Sequence, residues 1–274
     1  PAAAGAVVYP RMERMYRLFR LVPTGLDALN KVLRAYVTDR GKIINETTLC
    51  ESKNTQTPSA EMAMSWVNQV LDTKSRLDGV LATSFQGDKS CEAAINEAMD
   101  TFINLNTRAP EFISLYIDEH LRKGTRFADD TTALEPVLDK TITIFRYVHE
   151  KDVFERYYKM HLTRRLLHNR SASDDAERSM IAKLKVECGH GYVQKLQGML
   201  NDMKLSEEVL RAFHHTLERE GTSLPLQLNV NVLTATYWPI ASPKEPSIFP
   251  PALTDACPAV DNFYDTRRRG RVLT

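Results

Sequence analysis

What this sequence has little of narrows the field first. It holds four cysteines, Cys50, Cys91, Cys188 and Cys257, far apart and without paired spacing. That argues against a disulfide framework or a zinc module and fits reduced thiols in the cytoplasm and nucleus. Neither sign of charge dominates, since 36 Lys+Arg against 35 Asp+Glu leave +1. No global field therefore draws in nucleic acid or an anionic membrane, and neither is expected as a partner. The longest uncharged stretch, Thr222 to Pro243, carries Gln227, Asn229, Asn231 and three prolines, which makes it a poor bilayer segment. It reads as a strand. Pro1 to Tyr9 is apolar but has no basic region ahead of it and no initiator Met, so it fails as an export signal. The chain reads as beginning partway through a longer protein.

Catalytic signatures are missing as well. There is no G-x-S-x-G, no phosphate-binding loop and no dinucleotide fingerprint followed by an acid. Gly189-His190-Gly191 comes nearest to a glycine motif, and it separates two helical patterns instead of joining strand to helix. His214-His215 is followed by Thr216-Leu217-Glu218, so the metalloprotease helix motif is absent. No catalytic residue, metal or cofactor is assigned.

What is present is mostly helical. At 274 residues, 43% hydrophobic and 26% charged, the chain has a globular composition and room for roughly two domains of ~100–200 residues. From Met12 to about Lys151 apolar positions recur at three and four residues. Leu26, Leu29, Leu33, Tyr36 and Val37 share one face of a helix opening at Thr24, after Pro23. Asn45 to Pro58, polar and weakly patterned, reads as a loop. Ser59 to Phe85 carries Trp66, Val70, Leu77 and Leu81 on its stripe. Helices at Asp88 to Leu105, Pro110 to Arg122 and about Thr132 to His149 follow, and their short links favour an antiparallel bundle. From Asp152 to Leu167, residues Phe154, Tyr157, Tyr158, His161, Leu162 and Leu166 line one face. Asp174 with Glu177 resembles a capping box for the next helix, which meets Gly189. Two more, Tyr192 to Asp202 and Ser206 to Arg219, complete the region.

The period then changes to two. Leu226, Leu228, Val230 and Val232 alternate with Gln227, Asn229 and Asn231, as in a strand with one buried face. After Trp238-Pro239 comes a proline-rich connection containing Pro243, Pro246, Pro250, Pro251 and Pro258, and Arg271 to Thr274 reads as a second strand. Two strands alone are marginal, so this sheet needs partners from outside the sequence.

Four constellations have two readings each. Cys188, His190, His214 and His215 could ligate metal, but their spacing matches no standard zinc pattern; helix-end packing and solvent-facing histidines are preferred. Arg156 to Arg170 contains five Arg/Lys and no acid, interleaved with Tyr157 and Tyr158. That suits a nucleic-acid surface or, preferred, a helix with an aromatic buried face and a basic solvated one. Arg267-Arg268-Arg269-Gly270-Arg271 fits the charged approach to an edge strand equally well. Ser171-Ala172-Ser173-Asp174-Asp175 could be a phosphosite, and a capped turn is ranked first.

From Lys151-Asp152-Val153-Phe154-Glu155-Arg156-Tyr157-Tyr158-Lys159 through Arg164-Arg165-Leu166-Leu167 and Ser171 to Glu177, the sequence resembles a cullin. The likeness continues through Met180 to Lys185, Glu187-Cys188-Gly189, Lys195 to Met199, Asn201-Asp202-Met203, Val232-Leu233-Thr234 and Tyr237-Trp238-Pro239. Upstream, Met15 to Phe19, Leu71 to Arg76 and Asn104-Leu105-Asn106 resemble the cullin-3 branch of that family.

The resemblance implies a mainly α protein: an antiparallel helical cullin repeat, then a four-helix bundle, then the beginning of a small α/β domain. Residues 1–128, 129–221 and 222–274 would take those places. It implies a non-catalytic scaffold of a RING-type ubiquitin ligase, which raises effective concentration by holding substrate near a charged conjugating enzyme. The RING-box subunit would add a strand by β-augmentation, meeting Leu228, Val230, Val232, Leu233, Tyr237 and Trp238 in one strand region and Val272 and Leu273 in another. BTB-type adaptors would bind amino-terminal repeats, and neddylation would fall on a winged-helix lysine, both beyond this sequence. The chain departs from the family pattern at Thr236, where glycine usually precedes Tyr-Trp-Pro, and at Arg268-Arg269-Gly270-Arg271.

Overall fold

The apolar stripes at helical spacing become helices α1 (Pro10–Phe19), α2 (Gly25–Ser52), α3 (Ala60–Thr83), α4 (Lys89–Leu105) and α5 (Ala109–Leu121). They continue as α6 (Thr131–Phe145), α7 (Lys151–Leu167), α8 (Asp174–Cys188), α9 (His190–Glu220) and α10 (Pro251–Arg267). The structure is a computed structural model that describes residues 9–52, 59–124, 131–221, 226, 228–240 and 249–267. Local chemistry sets several of the ends. Ser59 caps α3 by accepting from the Met62 amide, and Asp88 caps α4 by accepting from Ser90 and Cys91. Gly189 and Gly221, at φ 86° and 64°, stop α8 and α9 in conformations a side chain would strain.

Helix packs on helix throughout: α2 along α4, α3 on α5, α5 on α7, and α8 on α9. One apolar core runs from Val37 to Trp238, with Trp66, Phe102, Phe112, Phe145, Phe154 and Tyr158 fully enclosed. Gly41 lets α2 and α4 touch, because a methyl group there would overlap the Phe102 ring. A smaller cluster joins Tyr16, Leu29, Phe85 and Cys91. A third, of Phe213, Leu228, Ala256 and Val260, holds α10 against the end of α9.

Five expectations are corrected by tertiary chemistry. The loop expected at Asn45 to Pro58 is helical through Ser52, and residues 53–58 lie outside the described residues. Asn45 survives burial there because its amide donates to Phe102 O (3.0 Å) and accepts from Trp66 Nε1 (2.8 Å). The cap of α8 is Ser173, whose hydroxyl accepts from the Ala176 amide, and Glu177 turns inward instead of closing a box. The two helices expected across 192–219 are one, since Asp202 and Ser206 direct their side chains to another segment instead of capping a new start. Part of the proline-rich connection is α10: Pro251 suits a first helical position, and burial of Ala256, Val260 and Tyr264 outweighs the interruption at Pro258. Finally, no strand ladder forms among the described residues; residues 228–234 run without helix or sheet pairing. An extended chain with no neighbouring strand to pair with has alternation but no ladder.

Candidate functional site

The alternation at residues 228–232 is realised as burial. Leu228 is buried against α9 and α10, Val230 and Val232 are half-buried, and Asn229 and Asn231 face solvent. Two polar side chains on the otherwise apolar stripe of α9 hold this segment. The Val232 amide donates to Ser206 Oγ (2.8 Å). The Ser206 hydroxyl lies within reach of two acceptors, Asp202 O (2.8 Å) and Val232 O (3.2 Å). Asp202 accepts from the Thr234 amide (2.7 Å), the Thr234 hydroxyl (2.9 Å) and Trp238 Nε1 (2.8 Å). Among the described residues this carboxylate is satisfied by neutral donors, with no cation beside it.

Of the residues assigned to RING-subunit binding, the structure thus brings Leu228, Val230, Val232, Leu233, Tyr237 and Trp238 onto α9 and its neighbours. Trp238 is anchored in the main core, and Leu233 and Tyr237 pack against it. Tyr237 reaches α9 because position 198 is glycine; a methyl group there would overlap its ring. Thr236 sits in the turn at 235–237, closed by the Tyr237 amide donating to Thr234 O, and needs no positive φ. Val272, Leu273 and Arg268 to Arg271 lie outside the described residues. Sequence reasoning missed the roles of Asp202 and Ser206. The available signal was an acid and a serine three and four residues apart from Met199 to Val209 within an apolar stripe.

A second polar cluster joins α5, α7 and α8. Arg165, 1% exposed, donates to Glu177 through Nε (2.7 Å) and Nη2 (2.9 Å), and to Asp118 through Nη1. Arg122 also pairs with Asp118, and Ser171 Oγ donates to Glu177 (2.6 Å). Burial alone would weaken the Arg165 charge, but the Glu177 and Asp118 carboxylates raise its pKa further. His161, 3.7 Å from Asp118, has its pKa lowered because burial outweighs that carboxylate. Around it the backbone is stitched: the Lys123 amide donates to Arg170 O (2.7 Å) and the Ala172 amide to Leu121 O (2.8 Å).

Arg165 corrects the reading of α7 as a helix whose basic residues are all solvated, and removes one cation from any nucleic-acid surface on it. Cys188 packs at the end of α8 as expected, while His190 and His215 are exposed and His214 half-buried. No group of three His, Cys, Asp or Glu among the described residues could hold a metal ion. No described helix is long and apolar enough to cross a membrane.

The family model described as the cullin alpha solenoid domain matches residues 7–210. The chain therefore belongs to the cullin family. It is 42% identical over 269 residues to Cullin-3 of Schizosaccharomyces pombe, covering 96% of this chain and 34% of that protein. It is 40% identical to Cullin-3A of Arabidopsis thaliana over 97% of this chain and 35% of the relative, and 39% identical to Cullin-3 of Dictyostelium discoideum over 96% and 33%. Within the family the likeness is thus to cullin-3 proteins, and the chain spans about a third of the length of these relatives.

Proposed function

We propose that this chain is part of the non-catalytic scaffold of a cullin-RING ubiquitin ligase, acting in the cytoplasm and nucleus. It holds a RING-box subunit at residues 228–238, and Val272 and Leu273 belong to the same docking region. The division into a repeat (1–128), a four-helix bundle (129–221) and the start of an α/β domain (222–274) is carried as part of this reading. BTB-type adaptors bind at repeats that precede this stretch in the complete scaffold. The physical task is proximity: rigid support keeps substrate and charged conjugating enzyme in one small volume.

The observation that carries the reading is the segment at 228–232, where Leu228 is buried, Val230 and Val232 are half-buried, Asn229 and Asn231 are exposed, and no strand lies beside it among the described residues. Such an edge is what β-augmentation uses. The test is co-purification with a RING-box subunit of this chain, and of a form in which it replaces the matching third of a full-length cullin-3 relative. Capture by the longer form supports the scaffold; capture by neither form removes it.

A further inference from the structure

Resting on the RING-docking reading, we propose that Asp202 and Ser206 are positioning residues that hold the Val232 and Thr234 amides on one edge of residues 228–234 and so fix which backbone groups meet the partner's strand. In an extended chain, neighbouring residues turn their N–H and C=O to opposite edges. Val232 and Thr234 turn their amides inward, to Ser206 Oγ at 2.8 Å and Asp202 Oδ2 at 2.7 Å. The same alternation turns Asn231 and Leu233 outward, with Asn229 in the same set. None of the three has a backbone hydrogen bond among the described residues. Asn229 and Asn231 also keep their side chains in solvent.

The occupant is one extended strand of the RING-box subunit, paired through the odd-numbered residues. A slip of one residue would ask the partner to pair with Val232 and Thr234, whose donors α9 already holds. It would also turn Leu228 and Val230 away from their apolar seat. Anchoring at Trp238, whose Nε1 donates to Asp202 at 2.8 Å, sets the segment lengthwise. The clamp therefore fixes both the edge and the register before the partner arrives, which lowers the ordering penalty of binding.

Residue-resolved amide exchange on the chain alone tests the clamp without any partner. Val232 and Thr234 should be protected, and Asn229, Asn231 and Leu233 should exchange freely; the reverse pattern, or uniform exchange, overturns the proposal. Capture of the RING-box subunit then tests the docking role. Asn231→Pro removes one outward donor and should abolish capture while helicity and the Trp238 emission stay as they were. Ser206→Ala should weaken capture by about tenfold, the scale of one lost hydrogen bond, and Ser206→Thr should restore it. Undiminished capture by Asn231→Pro, or by Ser206→Ala, overturns the register assignment. If the unaltered chain, in isolation and within the full-length relative, captures nothing, the ligase reading falls and takes the docking role with it, whereas the exchange pattern still decides the clamp.

Discussion

Asp118 and Asp202 are both buried carboxylates, 2% and 7% exposed, yet they are satisfied in opposite ways. Asp118 meets cations, Arg165 and Arg122, in a network that closes on Glu177 and joins three helices. Among the described residues Asp202 meets only neutral donors, two from Thr234 and one from Trp238. A charged network in low dielectric is unforgiving, because loss of one member leaves the others uncompensated. A carboxylate held by neutral donors places a segment while leaving that segment's other edge open. One device welds helices, and the other fastens a single segment to α9.

Breaking the weld should have the largest effect. Arg165→Met should destabilise the fold by about 3–5 kcal/mol in denaturant titration, since it leaves the buried Glu177 carboxylate without its cation and Asp118 with Arg122 alone. Asp202→Ala should cost less, about 1–3 kcal/mol, because it orphans two N–H donors but no charge. Equal losses from the two variants would erase the distinction. Gly198→Ala tests the seat of Tyr237 and should cost about 1–2 kcal/mol by overpacking, with helix content unchanged. A stability equal to the unaltered chain would mean that the ring relaxes freely.

The smallest effect is a dependence on pH. Burial lowers the His161 pKa below its ordinary value, so between the two values the unfolded chain binds more protons than the folded one. Stability therefore falls as pH drops below about 6.5, the unperturbed histidine value. His161→Phe should flatten that slope near pH 6. A slope that persists in His161→Phe would place its origin elsewhere. Asp88 adds a second, more acidic loss: burial raises its pKa, but hydrogen bonds from Ser90, Cys91 and Tyr16 outweigh that and hold it low. Its contribution is present above the ordinary carboxylate range and fades as pH falls through it.

Much of the fold was legible because helical periodicity is local. Trp66, Val70 and Leu77 mark the buried stripe of α3, and Phe154, Tyr158 and Leu162 that of α7. The alternation at 228–232 likewise marked the candidate docking segment and the correct buried face. What escaped were polar residues inside those stripes. Asn45 read as loop, Arg165 as solvated and Ser206 as the start of a helix, since a buried polar group and an exposed one look alike until the partner is known.

The sequence by itself determined most of the helical stripes, the change of period after Gly221 and the family to which the chain belongs, because each is carried by spacing along the chain. Only the tertiary structure decided where Asp202, Ser206, Arg165 and Glu177 find their partners. Those partners lie on other elements, up to 36 residues from Asp202 and 47 from Arg165. A hydrogen bond is short and directional, so which groups it joins follows from packing in three dimensions and leaves no period in the sequence.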